Sequence, residues 1–403
     1  MIKYVSLLCF FCLFVSQELT ASVGGEHPLP ADIRLLSDSL KRFYAPDRRV
    51  ALFDVDYACA GKNVMLRGEV TSAAAKAALL GGLEKAGYRV MDCLQLLPDE
   101  AALEGKTYGV VNLSVCNIHV KPDFASEMTT QALLGMPVRI LQRDGWYRIQ
   151  TPDNYIAWVH HAGVCPMTRE EQADWNRAEK IVVTAHYGFV YTRPDRQSQT
   201  VSDVVAGNRL KWTGTLGAFY QVAYPDGRTG YIPKAVSMPE KKWRARLQQG
   251  ADDIIRTAFT LMGVPYLWAG TSSKGADCSG FIRTVLYLHD IIIPRDASQQ
   301  AYVGEHIDIA PDFSNLLPGD LVFFGRKATP QRKESVVHVG LYLGDGRFIH
   351  SQGDVHVSSL NPADQDYDAF NHGRLLFATR FLPFINKETG LNTTDANPYY
   401  QNK

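Results

Sequence analysis

The 403-residue sequence predicts an α+β protein of several domains, and three observations carry that reading. Strand-like and helix-like stretches alternate between residues 50 and 98. A pattern of strand, Pro-Asp turn and aromatic-led strand occurs twice, 73 residues apart. Towards the C-terminal end a cysteine opens an amphipathic stretch, and two histidines follow on a hairpin pattern. A chain of this length exceeds one ordinary core, so two to four domains are expected.

Composition narrows the function classes. Lys and Arg total 42 and so do Asp and Glu, which gives no global argument for nucleic acid or an acidic membrane surface as partner. The hydrophobic and charged fractions, 46% and 21%, are those of a folded soluble protein. Residues 1–21 differ: Lys3 precedes an apolar run from Val5 to Val15, and small residues follow around Thr20-Ala21-Ser22. This reads as a secretory signal peptide, too short in its apolar core to span a bilayer. Cys9 and Cys12 lie inside that core and are not read as lipid-attachment sites. No later segment approaches 18 continuous apolar residues, so no integral membrane segment is expected in the mature chain, which is placed in the periplasm or cell envelope.

Past the signal remain Cys59, Cys93, Cys116, Cys165 and Cys278, an odd number for an exported chain. Up to two disulfides among the first four would leave Cys278 free. Five unpaired buried thiols are the other reading, and the spacing does not choose between them.

The elements follow in order. Residues 31–105 form a small α+β unit: strands at Val50–Tyr57 and Val64–Val70, an Ala/Leu-rich helix at Ser72–Ala86 stopped by Gly87, and a strand at Tyr88–Leu97. The repeat then aligns Trp146-Tyr147-Arg148-Ile149 with Phe219-Tyr220-Gln221-Val222, Pro152-Asp153 with Pro225-Asp226, and Trp158 with Tyr231. Alternating apolar residues around Pro-Asp turns predict paired small β-barrels at 106–167 and 178–240, and these resemble bacterial SH3-like domains. A charged connector from Glu240 and a helix at Asp252–Met262 open the last domain, 245–385. Residues 386–403, rich in Asn, Thr and Tyr, are expected to be a flexible tail.

Chemistry concentrates in the last domain. Phe281, Ile282, Val285, Leu286 and Leu288 form a helical stripe that places Cys278 at a helix start. Free backbone amides there are expected to lower a thiol pKa and to receive an oxyanion. In the strand Val337–Leu343, His338 shares a face with Gly340 and Tyr342. Gly344-Asp345-Gly346 signals a turn. A three-residue loop would set His350 opposite Gly340, on the face of His338, whereas a two-residue loop would turn it away. With the first register, His338 serves Cys278 as base and His350 holds the ring. A metal site is disfavoured because close-spaced ligand pairs are missing.

Pro265-Tyr266-Leu267-Trp268-Ala269-Gly270, Asp277-Cys278-Ser279-Gly280, Pro318-Gly319-Asp320-Leu321-Val322-Phe323-Phe324, His338-Val339-Gly340-Leu341-Tyr342 and Ile349-His350-Ser351 occur in that order. This series resembles the NlpC/p60 family of papain-like bacterial cell-wall peptidases. Ala269 departs from the family's more frequent glycine, which is harmless unless the backbone there needs a positive φ. The fold expected is therefore α+β, a papain-like NlpC/p60 catalytic domain behind two SH3-like β-barrels and a small N-terminal α+β unit. The resemblance implies a cofactor-free cysteine peptidase that cleaves the γ-D-glutamyl–diamino acid bond of peptidoglycan stem peptides. It maps the nucleophile to Cys278, the base to His338 and the third member to His350, with Tyr266 supporting the oxyanion. Members with SH3-like domains ahead of the catalytic one act on fragments with a free N-terminal L-alanine. That narrower resemblance implies amine binding by Asp277, Glu127 and Tyr155, and substrate contacts by Ser279 and Ser298. A hydrolase of polymeric wall with the barrels as targeting modules, and a non-catalytic wall-binding protein, are the alternatives.

Overall fold

Ser72 caps the helix that the Ala/Leu run predicts, its side chain accepting from Ala75 N–H at 3.1 Å, and Gly87 ends it at φ +80°. The computed structural model describes residues 29–401, so the segment read as a signal peptide lies outside the described residues. The chain divides into two units after Ala102. In the first, α1 (Ala31–Tyr44) and α2 (Ala73–Lys85) cover a three-stranded sheet of β1 (Phe53–Ala60), β2 (Asn63–Val70) and β3 (Arg89–Leu96). β1 pairs antiparallel with β2, and β2 pairs parallel with β3 across α2. Helix α1 was not anticipated, although Ile33, Leu36, Leu40 and Tyr44 stand at helical spacing and all join the core.

The second unit starts with the repeat. Seven strands of residues 108–167 and seven of 180–239 form separate sheets with the same neighbour order. Trp146–Gln150 occupies in one the place that Phe219–Ala223 occupies in the other. The internal similarity is thus a duplicated topology, each copy closed around an apolar core, which Val205, Tyr287 and Ile292 join in the first and Leu134 in the second. Helix α3 (Arg169–Arg177), with a Thr168/Glu171 capping box, joins the two copies, and α4 (Glu240–Arg244) follows the second.

The last part carries α5 (Ala251–Thr260), α6 (Cys278–Tyr287), α7 (Ala297–Gln300) and α8 (Ala369–Gly373). Its six-stranded sheet contains β4 (Glu305–Ile307), β5 (Leu321–Arg326), β6 (Ser335–Gly344), β7 (Arg347–Gln352), β8 (Asp354–Ser359) and β9 (Leu375–Arg380), in the order β4-β9-β5-β6-β7-β8. Every residue of α6 is buried, and Phe281, Ile282 and Val285 pack with Val339, Leu341 and Ile349 of the sheet. A helix buried all round positions its first residue with little freedom.

Two expectations are corrected. The tail is held: Asn392–Thr393 pairs with Ile291–Ile292, Leu391 and Thr394 are fully buried, and Asn397 Nδ2 donates to Pro152 of the first barrel at 2.9 Å. Polar side chains satisfied inside the protein read in sequence like solvated ones. All five cysteines are free thiols, and Cys93 is exposed rather than buried, so neither disulfides nor uniform burial describes them. No helix among the described residues is long and apolar enough to cross a membrane.

Candidate active site

Asp277 is the N-cap of α6, its Oδ1 accepting from Gly280 N–H at 2.7 Å, and Cys278 is the first helical residue. Close backbone approach sets this corner. A Cβ on Gly280 would stand 1.9 Å from the carbonyl oxygen of Gly270. Ala269 sits at φ +62° and is buried, with its N–H on Asp277 Oδ2 at 2.9 Å. The positive φ is therefore required here, and alanine adopts it at a cost in backbone strain.

The Cys278 thiol is buried, with the backbone N–H groups of Val339 and Ser279 directed towards it. The expected lowering of its pKa does not hold. Burial first, and then the Asp277 carboxylate, push it up to about 11 against the pull of those amides. Tyr266 stands close enough that burial, Cys278 and Asp277 together raise its phenol to about 12.

The hairpin register is resolved in an unanticipated way. Gly344 pairs with Arg347, leaving the two-residue loop Asp345-Gly346 with both φ positive, +52° and +77°. A bulge at Leu343 then restores Tyr342 opposite Phe348 and Leu341 opposite Ile349, and His350 falls beside Gly340. A Cβ on Gly340 would meet Phe348 Cδ2 at 2.7 Å and His350 Cβ at 3.4 Å, so glycine leaves room for the second ring. His338 Nε2 and His350 Nδ1 are 2.8 Å apart, and His350 Nε2 lies 3.1 Å from Ser358 Oγ. Burial, then the neighbouring His350, holds His338 well below the ordinary histidine range. Burial, then His356, takes His350 to about 3. Both rings are neutral at pH 7. With protons on His338 Nε2 and His350 Nε2 the row runs His338 to His350 to Ser358, and His338 Nδ1 keeps an unprotonated lone pair. Among the described residues no hydrogen bond joins the thiol to His338.

The remaining expected site residues divide. Asp277 and Ser279 turn inward. Arg295, 1% exposed, donates from Nη2 to Asp277 Oδ2 at 2.6 Å, from Nη1 to Asp277 Oδ1 at 3.2 Å and from Nη1 to Ser279 Oγ at 2.9 Å. Both Asp277 oxygens are occupied, so direct capture of a substrate amine by this carboxylate is corrected to a capping and ion-pair role. Ser298 is half-buried on α7. Glu127, exposed on the first barrel, accepts the Trp268 indole N–H on Oε1 at 3.0 Å, and its Oε2 takes no hydrogen bond among the described residues. Tyr155 belongs to the core of that barrel, yet its hydroxyl reaches Thr129 Oγ1 at 2.8 Å and Asp296 Oδ2 at 3.4 Å.

The first barrel is fixed to the cysteine helix. Arg283 of α6 donates to Asp153 at 2.7 Å and Thr130 at 3.0 Å, and Thr271 N–H donates to Gln131 Oε1 at 2.8 Å. The arrangement supplies a thiol at a helix start, a row of two neutral imidazoles, and an exposed carboxylate held on the Trp268 indole. Arg295, Ser358 and Trp268 were missed as site residues from sequence. Trp268 lay within one of the motifs and could have been flagged. A serine behind a histidine leaves no local pattern. Among the described residues no group of three His, Cys, Asp or Glu is arranged to hold a metal ion.

Residues 263–372 match the NlpC/P60 family, 118–164 the bacterial dipeptidyl-peptidase Sh3 domain, and 186–237 the bacterial SH3 domain. A gamma-D-glutamyl-L-lysine dipeptidyl-peptidase of Bacillus cereus is 34% identical over 249 residues, 59% of this chain and 72% of the relative. The dipeptidyl-peptidase 6 of Lysinibacillus sphaericus is 25% identical over 62% of this chain and 91% of its own length. The crystal structure of an NlpC/P60 family protein from Bacillus cereus superposes with a TM-score of 0.58 at 26% identity, covering 68% of this chain and 100% of the other.

Proposed function

The chain belongs to the NlpC/P60 family and is a cysteine-type peptidase related to peptidoglycan-acting enzymes, and from that premise we propose that it hydrolyses the γ-D-glutamyl–diamino acid bond of peptidoglycan stem peptides bearing a free N-terminal L-alanine. The observation that carries the specificity is Glu127. A carboxylate from the first barrel stands on Trp268, in the loop that leads to the nucleophile, with one oxygen free for an ammonium group. An ammonium leaving water needs such a charged partner, and acylated or polymeric chains would place an uncharged amide or a steric clash there. The relatives named as dipeptidyl-peptidases support the same reading.

In the proposed reaction His338 Nδ1 takes the Cys278 proton as sulfur attacks the γ-carbonyl carbon, with the amides at the start of α6 and the Tyr266 hydroxyl facing the oxyanion. His338 returns the proton to the leaving amine as the C–N bond breaks. Water, deprotonated by His338, then releases L-alanyl-γ-D-glutamate and frees the thiol. His350, held by Ser358, orients His338 throughout. Tyr155 and Ser298 border the amine and glutamyl positions, while Asp277 and Ser279 set the position of Arg295 and the helix start. Export to the cell envelope belongs to this reading, through residues 1–21.

The experiment compares the free tripeptide L-Ala-γ-D-Glu-L-Lys, its N-acetyl form and intact sacculi. Glu127→Gln should lower kcat/KM on the free tripeptide roughly 10- to 100-fold, the scale of a charge-assisted contact, and leave the N-acetyl form little changed. Turnover of sacculi without turnover of the tripeptide supports a hydrolase of polymeric wall instead. Hydrolysis retained in Cys278→Ala removes the nucleophile assigned here.

A further inference from the structure

The leaving residue of such a substrate carries charge, and among the described residues an arginine whose charge bears on His338 forms no salt bridge. Arg374 follows α8 at the start of β9. Its backbone carbonyl accepts Gly325 N–H at 2.8 Å, and the next residue, Leu375, pairs with Phe324, which pairs on its other side with His338. The arginine therefore stands at the strand ends that carry the histidine. Its charge bears on His338, on His350 and on Cys278.

The guanidinium is held rather than loose. Nε and Nη2 both donate to Asn371 Oδ1, at 2.9 and 2.7 Å. Asn371 is fully buried, its Nδ2 donating to Gln352 Oε1 at 3.0 Å and its N–H to Asp368 Oδ1 at 2.9 Å. The guanidinium also stacks over Phe370, 4.3 Å from the ring centroid, and Phe370 is 64% exposed. Among the described residues no carboxylate lies within ion-pair distance of Arg374, and its Nη1 donates to nothing. A positioned, half-buried arginine with a free N–H edge, which the charge of Asp368 reaches only from beyond ion-pair distance, is arranged for a carboxylate from outside.

The chemistry of the leaving group supplies one. Its amine must lie at His338 to be protonated, and in an amino acid the carboxyl carbon is two bonds from that nitrogen, about 2.5 Å away. We propose that Arg374 is a specificity-determining residue that binds a carboxylate of the leaving amino acid beside His338. The assignment rests on the substrate reading above and deepens it. The carboxylate has two sources: the free α-carboxyl of a C-terminal residue, or the side-chain carboxyl of diaminopimelate.

Four peptides L-Ala-γ-D-Glu-X separate them, with X as L-lysine, L-lysinamide, meso-diaminopimelate or its monoamide at the α-carboxyl beside the scissile bond. If the α-carboxyl is bound, wild-type kcat/KM falls roughly 10- to 100-fold from acid to amide in both pairs. If the side-chain carboxyl is bound, both diaminopimelate peptides exceed both lysine peptides by that factor. In either case Arg374→Gln brings the four within about threefold, the loss residing in KM, and Arg374→Lys retains part of the preference. The wild-type comparison needs no variant to fold. An equal loss on all four peptides, or a preference that persists in Arg374→Gln, overturns the assignment. Wild-type protein that cleaves none of the four overturns the substrate reading and this assignment with it.

Discussion

Replacing Arg295 by methionine tests how the helix start behind the nucleophile is held. Arg295 is 1% exposed and its side chain meets an Asp277 side chain that is 8% exposed, through two hydrogen bonds. It also donates from Nε to Thr130 of the first barrel at 3.0 Å, so one guanidinium joins the barrel, the Asp277 cap and Ser279. Methionine fills much of the volume and leaves a carboxylate in the interior, satisfied only by Gly280 N–H, Ala269 N–H and the Ser279 hydroxyl. Breaking a buried pair by removing one partner costs about 3–5 kcal/mol. For the folded unit Leu103–Lys403 that is a drop of roughly 5–8 °C in melting temperature. Asp277→Asn keeps a competent cap without the charge, so the double variant Asp277→Asn/Arg295→Met should recover about half of the single loss. Thermal and urea unfolding of the four proteins closes the cycle. A loss below about 1 kcal/mol for Arg295→Met, or strict additivity in the cycle, refutes the buried-pair argument.

Ala269→Gly relieves the positive φ and should raise stability by about 0.5–1 kcal/mol after the glycine's greater unfolded freedom is deducted, a gain visible in urea midpoints and contradicted by any loss. Stability should fall as pH drops below about 6.5, because unfolded histidines take protons that folded His338 and His350 refuse, and it should be flat from this source above that value. His350→Gln should flatten that slope, and an unchanged slope between pH 7 and 4.5 counts against neutral buried rings. Ser358→Ala leaves His350 Nε2 without its partner and should lower kcat roughly tenfold at unchanged KM in peptide assays, while an unaltered kcat removes Ser358 from the row.

The histidine hairpin shows how sequence and structure divide the work. Alternation put His338 on a face with Gly340, and Gly-Asp-Gly announced a turn, but the face of His350 depended on a count that local sequence left open. The loop has two residues, which alone would have turned His350 away. The bulge at Leu343 reverses that result, and a bulge is chosen by what the strand must pack against. Asp277 shows the same limit from the other direction. An aspartate beside a cysteine at a helix start reads equally as cap or as ligand. Only Arg295 folding onto it, 18 residues later, decides the matter.

The sequence alone determined the duplicated β units, the helix with Cys278 at its start and the ordered motifs of the family, because each is written in periodicity, turn residues or short-range spacing. The tertiary structure decided what is non-local. It set the register that joins His338 to His350, the protonation of a buried thiol and two buried rings, and the inward turn of Asp277. It also tied down the polar tail and brought Glu127 onto Trp268, 141 residues away in the chain. Burial and charge pairing depend on which segments meet in space, and no window of neighbouring residues contains that information.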